Sequence, residues 1–183
     1  LVTEESVIGE STYDLQTNAS CPNRIYVFDD GTIGTIWTWS SDEAPAHFDR
    51  GTGYNYFDGS SWDEWPEQRL ESERSGWGNY APLGQNGELI ASHFNDYNNV
   101  EGLFFLKRDQ KGYGAWQETV FTGPEGYEGL LWPRMVTGGP DHQNIYLFAL
   151  TKPIPNGGQI YQGLDGALLY SRSTNGGQSW DIQ

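Results

Sequence analysis

The sequence predicts an all-β propeller with four-stranded antiparallel blades, and three observations predict it. A hairpin pattern recurs at a period near 56 positions, further strand-like segments and a tryptophan follow each hairpin, and the composition is that of a β protein. Glycine numbers 24, aromatic residues make up 15% of the chain, and no stretch is dominated by Ala, Leu, Glu and Lys.

The first hairpin reads Cys21–Phe28, then the turn Asp29-Asp30-Gly31, then Thr32–Trp39; Asp-Gly between apolar runs is a strong hairpin signal. The pattern returns as Trp77–Leu83, a turn at Gln85-Asn86-Gly87, and Glu88–Phe94. Its third copy is Trp132–Val136, a longer turn through Asp141-His142-Gln143, and Asn144–Leu150. Gly31 and Gly87 lie 56 positions apart, Gly87 and Asn144 lie 57 apart, and Cys21, Trp77 and Trp132 follow at 56 and 55. A plain β-sandwich would use similar strands but would not impose this period.

A third strand and a tryptophan complete each repeat. These are Tyr54–Gly59 into Trp62, Leu103–Arg108 into Trp116, and Leu168–Ser173 into Trp180. Short fourth strands are expected at Glu67–Leu70 and Glu118–Phe121, and the third unit's outer strand begins only near Asp181. Residues 1–20 form a lead-in with a lone strand at Tyr13–Gln16, followed by blades over 21–76, 77–131 and 132–183. Three blades do not close a ring, so the expected whole is a propeller of about six to eight blades. The remaining blades would come from the same longer chain or from another chain.

Charge narrows the partners. The formal net charge of −15 repels phosphate backbones and anionic head groups, which argues against nucleic acid and membrane surfaces. No apolar run is long enough for a transmembrane span. Cys21 is the single cysteine, so neither an internal disulfide nor a cysteine-based metal site can form. Leu1-Val2-Thr3-Glu4-Glu5 lacks the basic start and apolar core of a signal peptide, a segment that a secreted protein would already have lost.

Ser173-Thr174-Asn175-Gly176-Gly177-Gln178-Ser179-Trp180 resembles the Asp-box, the S-x-D-x-G-x-T-W turn of sialidase-like (BNR repeat) propellers. Ser173, Gly177 and Trp180 match, Asn175 replaces Asp and Ser179 replaces Thr. Asn175 can still bond nearby backbone N–H groups, and Gly177 supplies the open dihedral. Weaker echoes stand at Asp58–Trp62 and Asp109–Trp116. In that family the turn is structural. The opening Asn23-Arg24-Ile25-Tyr26 is also similar to the Arg-Ile-Pro start of a sialidase domain, with Tyr26 in place of Pro. The resemblance implies that Arg24 would match a carboxylate-binding arginine and Asp49 the acid/base aspartate. A sialidase's tyrosine nucleophile and its acidic partner belong to later blades. Over its length the chain is similar to BNR-type propellers of secreted or surface proteins of Bacteroidetes that carry type IX sorting signals.

Asn23, Arg24, Asn79, Tyr80, Arg134 and Met135 open the three innermost strands, which would line a central channel. Arg24, Tyr80 and Arg134 are therefore the candidate ligand-binding residues, a guanidinium being suited to bidentate capture of a carboxylate. Inter-blade ion pairing is the structural alternative for both arginines. His47, His93 and His142 share no metal-ligand spacing. Asp29, Asp30, Asp42, Glu43, Asp96 and Asp165 sit in stretches rich in Asn and Gly whose oxygens could hold Ca²⁺, although turn formation explains them as well. Trp37 and Trp39 are read as core. The reading is a non-catalytic module that binds a glycan or a surface protein; the alternative is a sialidase-type exo-glycosidase.

Overall fold

The computed structural model describes residues 5–17, 21–97 and 100–182. Leu1–Glu4 and Asn18–Ser20 of the expected lead-in lie outside the described residues. Eleven strands form three antiparallel sheets in chain order, none closed on itself. The first holds β1 (Ile25–Val27), β2 (Ile33–Trp39) and β3 (Gly51–Phe57). The second holds β4 (Ser75–Leu83), β5 (Gly87–Tyr97), β6 (Val100–Arg108) and β7 (Gln117–Phe121). The third holds β8 (Leu130–Gly138), β9 (Asn144–Thr151), β10 (Leu168–Ser173) and β11 (Asp181–Ile182).

Each sheet lies against the next, and period-two alternation decides which side chains meet. Tyr26, Ile36, Tyr54 and Tyr56 of the first sheet pack on Tyr80, Ile90 and Leu106 of the second. The opposite face of the second sheet, including Ala81, Leu89, Ala91 and Phe105, packs on Met135, Ile145, Leu147 and Ala149 of the third. Close approach demands glycine at one point in the first junction. A Cβ on Gly34 would stand 1.8 Å from the Tyr80 hydroxyl oxygen.

The tryptophans that follow the third strands fill these junctions. Trp116 lies edge-on to Tyr54 of the first sheet, and Trp180 lies against Phe105 and Phe121 of the second. Trp62, with no preceding sheet, rests on Phe57 of its own. Strands β4 and β8, the first of the second and third sheets, share a bulge at repeat-related positions, with Trp77 and Trp132 at φ 51° and 49°. The amide of Trp77 donates to Thr38 Oγ1 of the preceding sheet at 3.4 Å, and that of Trp132 to His93 Nδ1 at 3.4 Å.

Two expected strands are absent. Tyr13–Gln16 is not a strand; it is fastened to β2 by the Gln16 side chain, which donates to Thr38 O and accepts from Thr38 N. Glu67–Leu70 is irregular, because the Glu71 carboxylate takes the Thr52 amide at 2.8 Å and only Leu70 N reaches Thr52 O. Asp96, expected in a loop, falls within β5.

Candidate functional site

Of the expected ligand residues, Arg24, just before β1, and Arg134, within β8, are neighbours. Burial, offset by Cys21 and reinforced by the neighbouring Arg134 charge, holds the Arg24 guanidinium below its ordinary pKa. Arg24 Nη1 donates to Gln16 Oε1 at 3.3 Å, while its Nη2 is buried and meets no acceptor among the described residues. Arg134 donates to Pro133 O at 2.8 Å, and burial lowers its pKa as well. Arg50 and Arg74 stand nearby, Arg50 lying over the rings of Tyr13 and Trp77 at 5.0 and 4.6 Å. Four of the ten cationic side chains thus collect at one end of an acidic chain.

Tyr80 does not join them. It is 1% exposed on the face that packs against the first sheet, and its hydroxyl donates to Glu88. Burial, then the adjacent carboxylate, pushes its pKa far above the usual phenol value. Glu88, fully buried, also accepts from Tyr54 Oη at 3.0 Å, Gly112 N at 3.0 Å and Arg108 Nε at 2.5 Å. This network ties the first two sheets together and is closed to ligands.

Asp49 is likewise committed. It accepts from Ser40 Oγ at 2.5 Å, Ser41 N at 2.8 Å, Ser41 Oγ at 2.7 Å and Asp42 N at 3.0 Å. Burial pushes its pKa up, but these bonds outweigh it and hold the carboxyl below its ordinary value. A group so held carries no proton to donate near neutral pH.

The 173–180 turn is built by its own side chains. Ser173 Oγ accepts from Gly177 N at 2.9 Å, Asn175 Oδ1 accepts from Ser179 N at 3.0 Å, and Gly177 sits at φ 85°. Among the acidic positions, Asp30 accepts from Thr32 and Lys111, whose bonds hold it at about 2, and Asp165 caps Ile154 N at 2.7 Å. No three His, Cys, Asp or Glu side chains among the described residues form a group that could hold a metal ion.

The sequence reading missed one groove. About 610 Å³ in volume, it runs between Glu10–Thr12, Trp39–Ser41, Glu43 and Trp65–Glu67. Trp65 is 46% exposed along it, held by its indole N–H on Val7 O at 3.3 Å, and the carboxylates of Glu10, Glu43 and Glu67 line it. An apolar ring face beside carboxylates and hydroxyls suits a polyhydroxylated ligand, with C–H groups on the indole and O–H groups donated to the acids. The volume falls within the usual range of small-ligand sites.

No protein-family model matches the chain, and no curated protein matches it in sequence. Solved structures match in fold. One is a protein of unknown function from Dyadobacter fermentans DSM 18053, at TM-score 0.55 and 15% identity; the match covers 87% of this chain and 52% of that one. This chain therefore spans about half of that neighbour's length. Another is a fucose lectin from Kordia zhangzhouensis in complex with methyl-fucoside, at TM-score 0.51 and 13% identity; the match covers 87% of this chain and 96% of that one. The likeness is one of fold.

Proposed function

We propose that this chain is a glycan-binding module, the three sheets being consecutive blades of a secreted or cell-surface β-propeller, and that the Trp65 groove is its sugar site. The propeller reading is supported by the recurrent hairpins and by the Trp116 and Trp180 wedges between successive sheets. The observation that carries the binding reading is the half-exposed Trp65 indole in a groove of about 610 Å³ that Glu10, Glu43 and Glu67 also line. The fold likeness to a fucose lectin agrees with it. A glycan array that includes fucosides, followed by calorimetry, tests it. Trp65→Ala should weaken the best ligand at least about tenfold, near 1.4 kcal/mol, with an unchanged circular dichroism spectrum. Unaltered binding in that variant, or silence across the array, refutes the site.

The paired Arg24 and Arg134 favour a second reading, a site for acidic sugars that would serve a sialidase-type hydrolase. Turnover of a fluorogenic sialoside that is lost in Arg24→Ala would support it. Against catalysis stands Asp49, which is held ionised by four donors.

A further inference from the structure

The Trp65 groove carries a charge pattern that a neutral sugar leaves unused. Glu10, Glu43 and Glu67 line it, together with no lysine, arginine or histidine. All three glutamates are exposed. The ion pairs among the described residues are Arg108–Glu88, Lys111–Asp30, Lys152–Glu101 and Arg172–Asp181, and they engage none of the three. Trp39 supplies an independent observation. It is 5% exposed and lines the same groove, and its indole N–H meets no acceptor among the described residues. The nitrogen is not sealed from solvent, so the groove offers an unused donor on an otherwise buried ring. The indole N–H groups of Trp37 and Trp65 are instead spent on Glu10 O at 3.2 Å and Val7 O at 3.3 Å. Those bonds, with Thr12 N on Ser40 O at 2.9 Å, hold the segment that carries Glu10 against the first sheet, so the groove is organised before a ligand arrives.

We propose that the groove selects an amino sugar, a hexosamine whose amine is unacetylated and protonated, over neutral and N-acetylated saccharides. The inference rests on the Trp65 sugar site and names its ligand class. The ammonium donates charge-assisted hydrogen bonds to the carboxylates, the C–H face of the sugar lies on Trp65, and a hydroxyl or ring oxygen accepts from Trp39. Acetylation removes the charge, and a neutral sugar leaves the three carboxylates without a counter-ion. The formal charge of −15 on the whole chain adds to the attraction for an oligomer of such sugars.

Calorimetry with a fully deacetylated chitosan tetrasaccharide and its N-acetylated counterpart tests it, at about pH 6, where an amine of this kind is protonated. The amino tetramer should bind at least about tenfold more tightly. Raising salt from about 0.1 to about 1 M shortens the screening length from about 10 to about 3 Å and should erase most of that preference. Glu43→Gln combined with Glu67→Gln, both at exposed positions, should weaken the amino tetramer at least about tenfold. The circular dichroism spectrum and the affinity for the acetylated tetramer should stay unchanged. Equal affinity for the two tetramers, or a preference that survives high salt and the glutamine pair, overturns the amino-sugar inference and leaves Trp65→Ala to decide the sugar site. Absent binding of the amino tetramer where a neutral fucoside binds overturns the inference alone. A tetralysine peptide that binds as tightly as the amino tetramer overturns it in favour of a general cation site.

Discussion

His93 is the sharpest probe of the sheet junctions, because it converts their packing into a pH dependence. Its ring is stacked on Trp77 at 5.1 Å and 9°, meets Trp132 edge-on at 6.3 Å, and accepts the bulge amide of Trp132. It is 2% exposed. Burial, then the charges of Arg50, Arg134 and Arg74, pushes its pKa from 6.5 down to about 3. The unfolded chain takes up the proton near pH 6.5, whereas the folded chain refuses it until about pH 3, so stability falls as pH falls between those values. The slope approaches about 1.4 kcal/mol per pH unit below pH 6.5 and integrates to about 2 kcal/mol between pH 6.5 and 4.5. Carboxylates also respond to acid, so the comparison is with His93→Gln, whose amide oxygen can accept from Trp132 N without titrating. Urea unfolding of both proteins at several pH values gives the difference. Wild-type stability relative to the variant should drop by about 2 kcal/mol over that interval. A difference that stays flat, or a folded-state NMR titration of His93 near pH 6.5, refutes the argument.

Two further perturbations test the first junction. Glu88→Ala strands the Arg108 guanidinium, whose side chain is 8% exposed, and should cost about 3–5 kcal/mol in urea unfolding; a loss below about 1 kcal/mol would mean that the pair is not buried in solution. Gly34→Ala drives a methyl group into the Tyr80 hydroxyl and should cost about 1–3 kcal/mol, whereas an unchanged melting temperature would show that the two sheets are further apart than described.

The hairpin repeat was legible because turn chemistry and alternation are local. Gly31, for example, lies at φ 82° in the turn where Asp-Gly placed it. What eluded the sequence is where a side chain replaces the backbone in a ladder. Gln16 pairs with both polar groups of Thr38 through its amide, so the segment runs along β2 without strand geometry. Glu71 does the same to Thr52 N. Neither substitution leaves a periodic signature, because the bond depends on one side chain's reach. Tyr80 was assigned to the inner channel by its position at the start of a strand; its side of the strand, toward Glu88 and the first sheet, put it in the core. The Trp65 groove draws its walls from three segments far apart in sequence, and no local pattern joins them.

The arginines near His93 are held in a way that the sequence did not suggest. In an acid-rich chain, ion pairing across a blade junction was the structural alternative for Arg24 and Arg134. Arg50 donates to Ser75 O at 2.8 Å, and Arg74 to His47 O and Ala46 O at 2.9 Å each. Carbonyls freed at strand ends and bulges need donors, and a guanidinium offers several in a fixed plane. Arg24 differs from the others: it donates to the side-chain amide of Gln16, and its Nη2 is buried without an acceptor among the described residues. Carbonyl stapling accounts for Arg50 and Arg74, but it leaves the orientation of Arg24 unexplained, and a ligand oxygen at that nitrogen would complete its coordination.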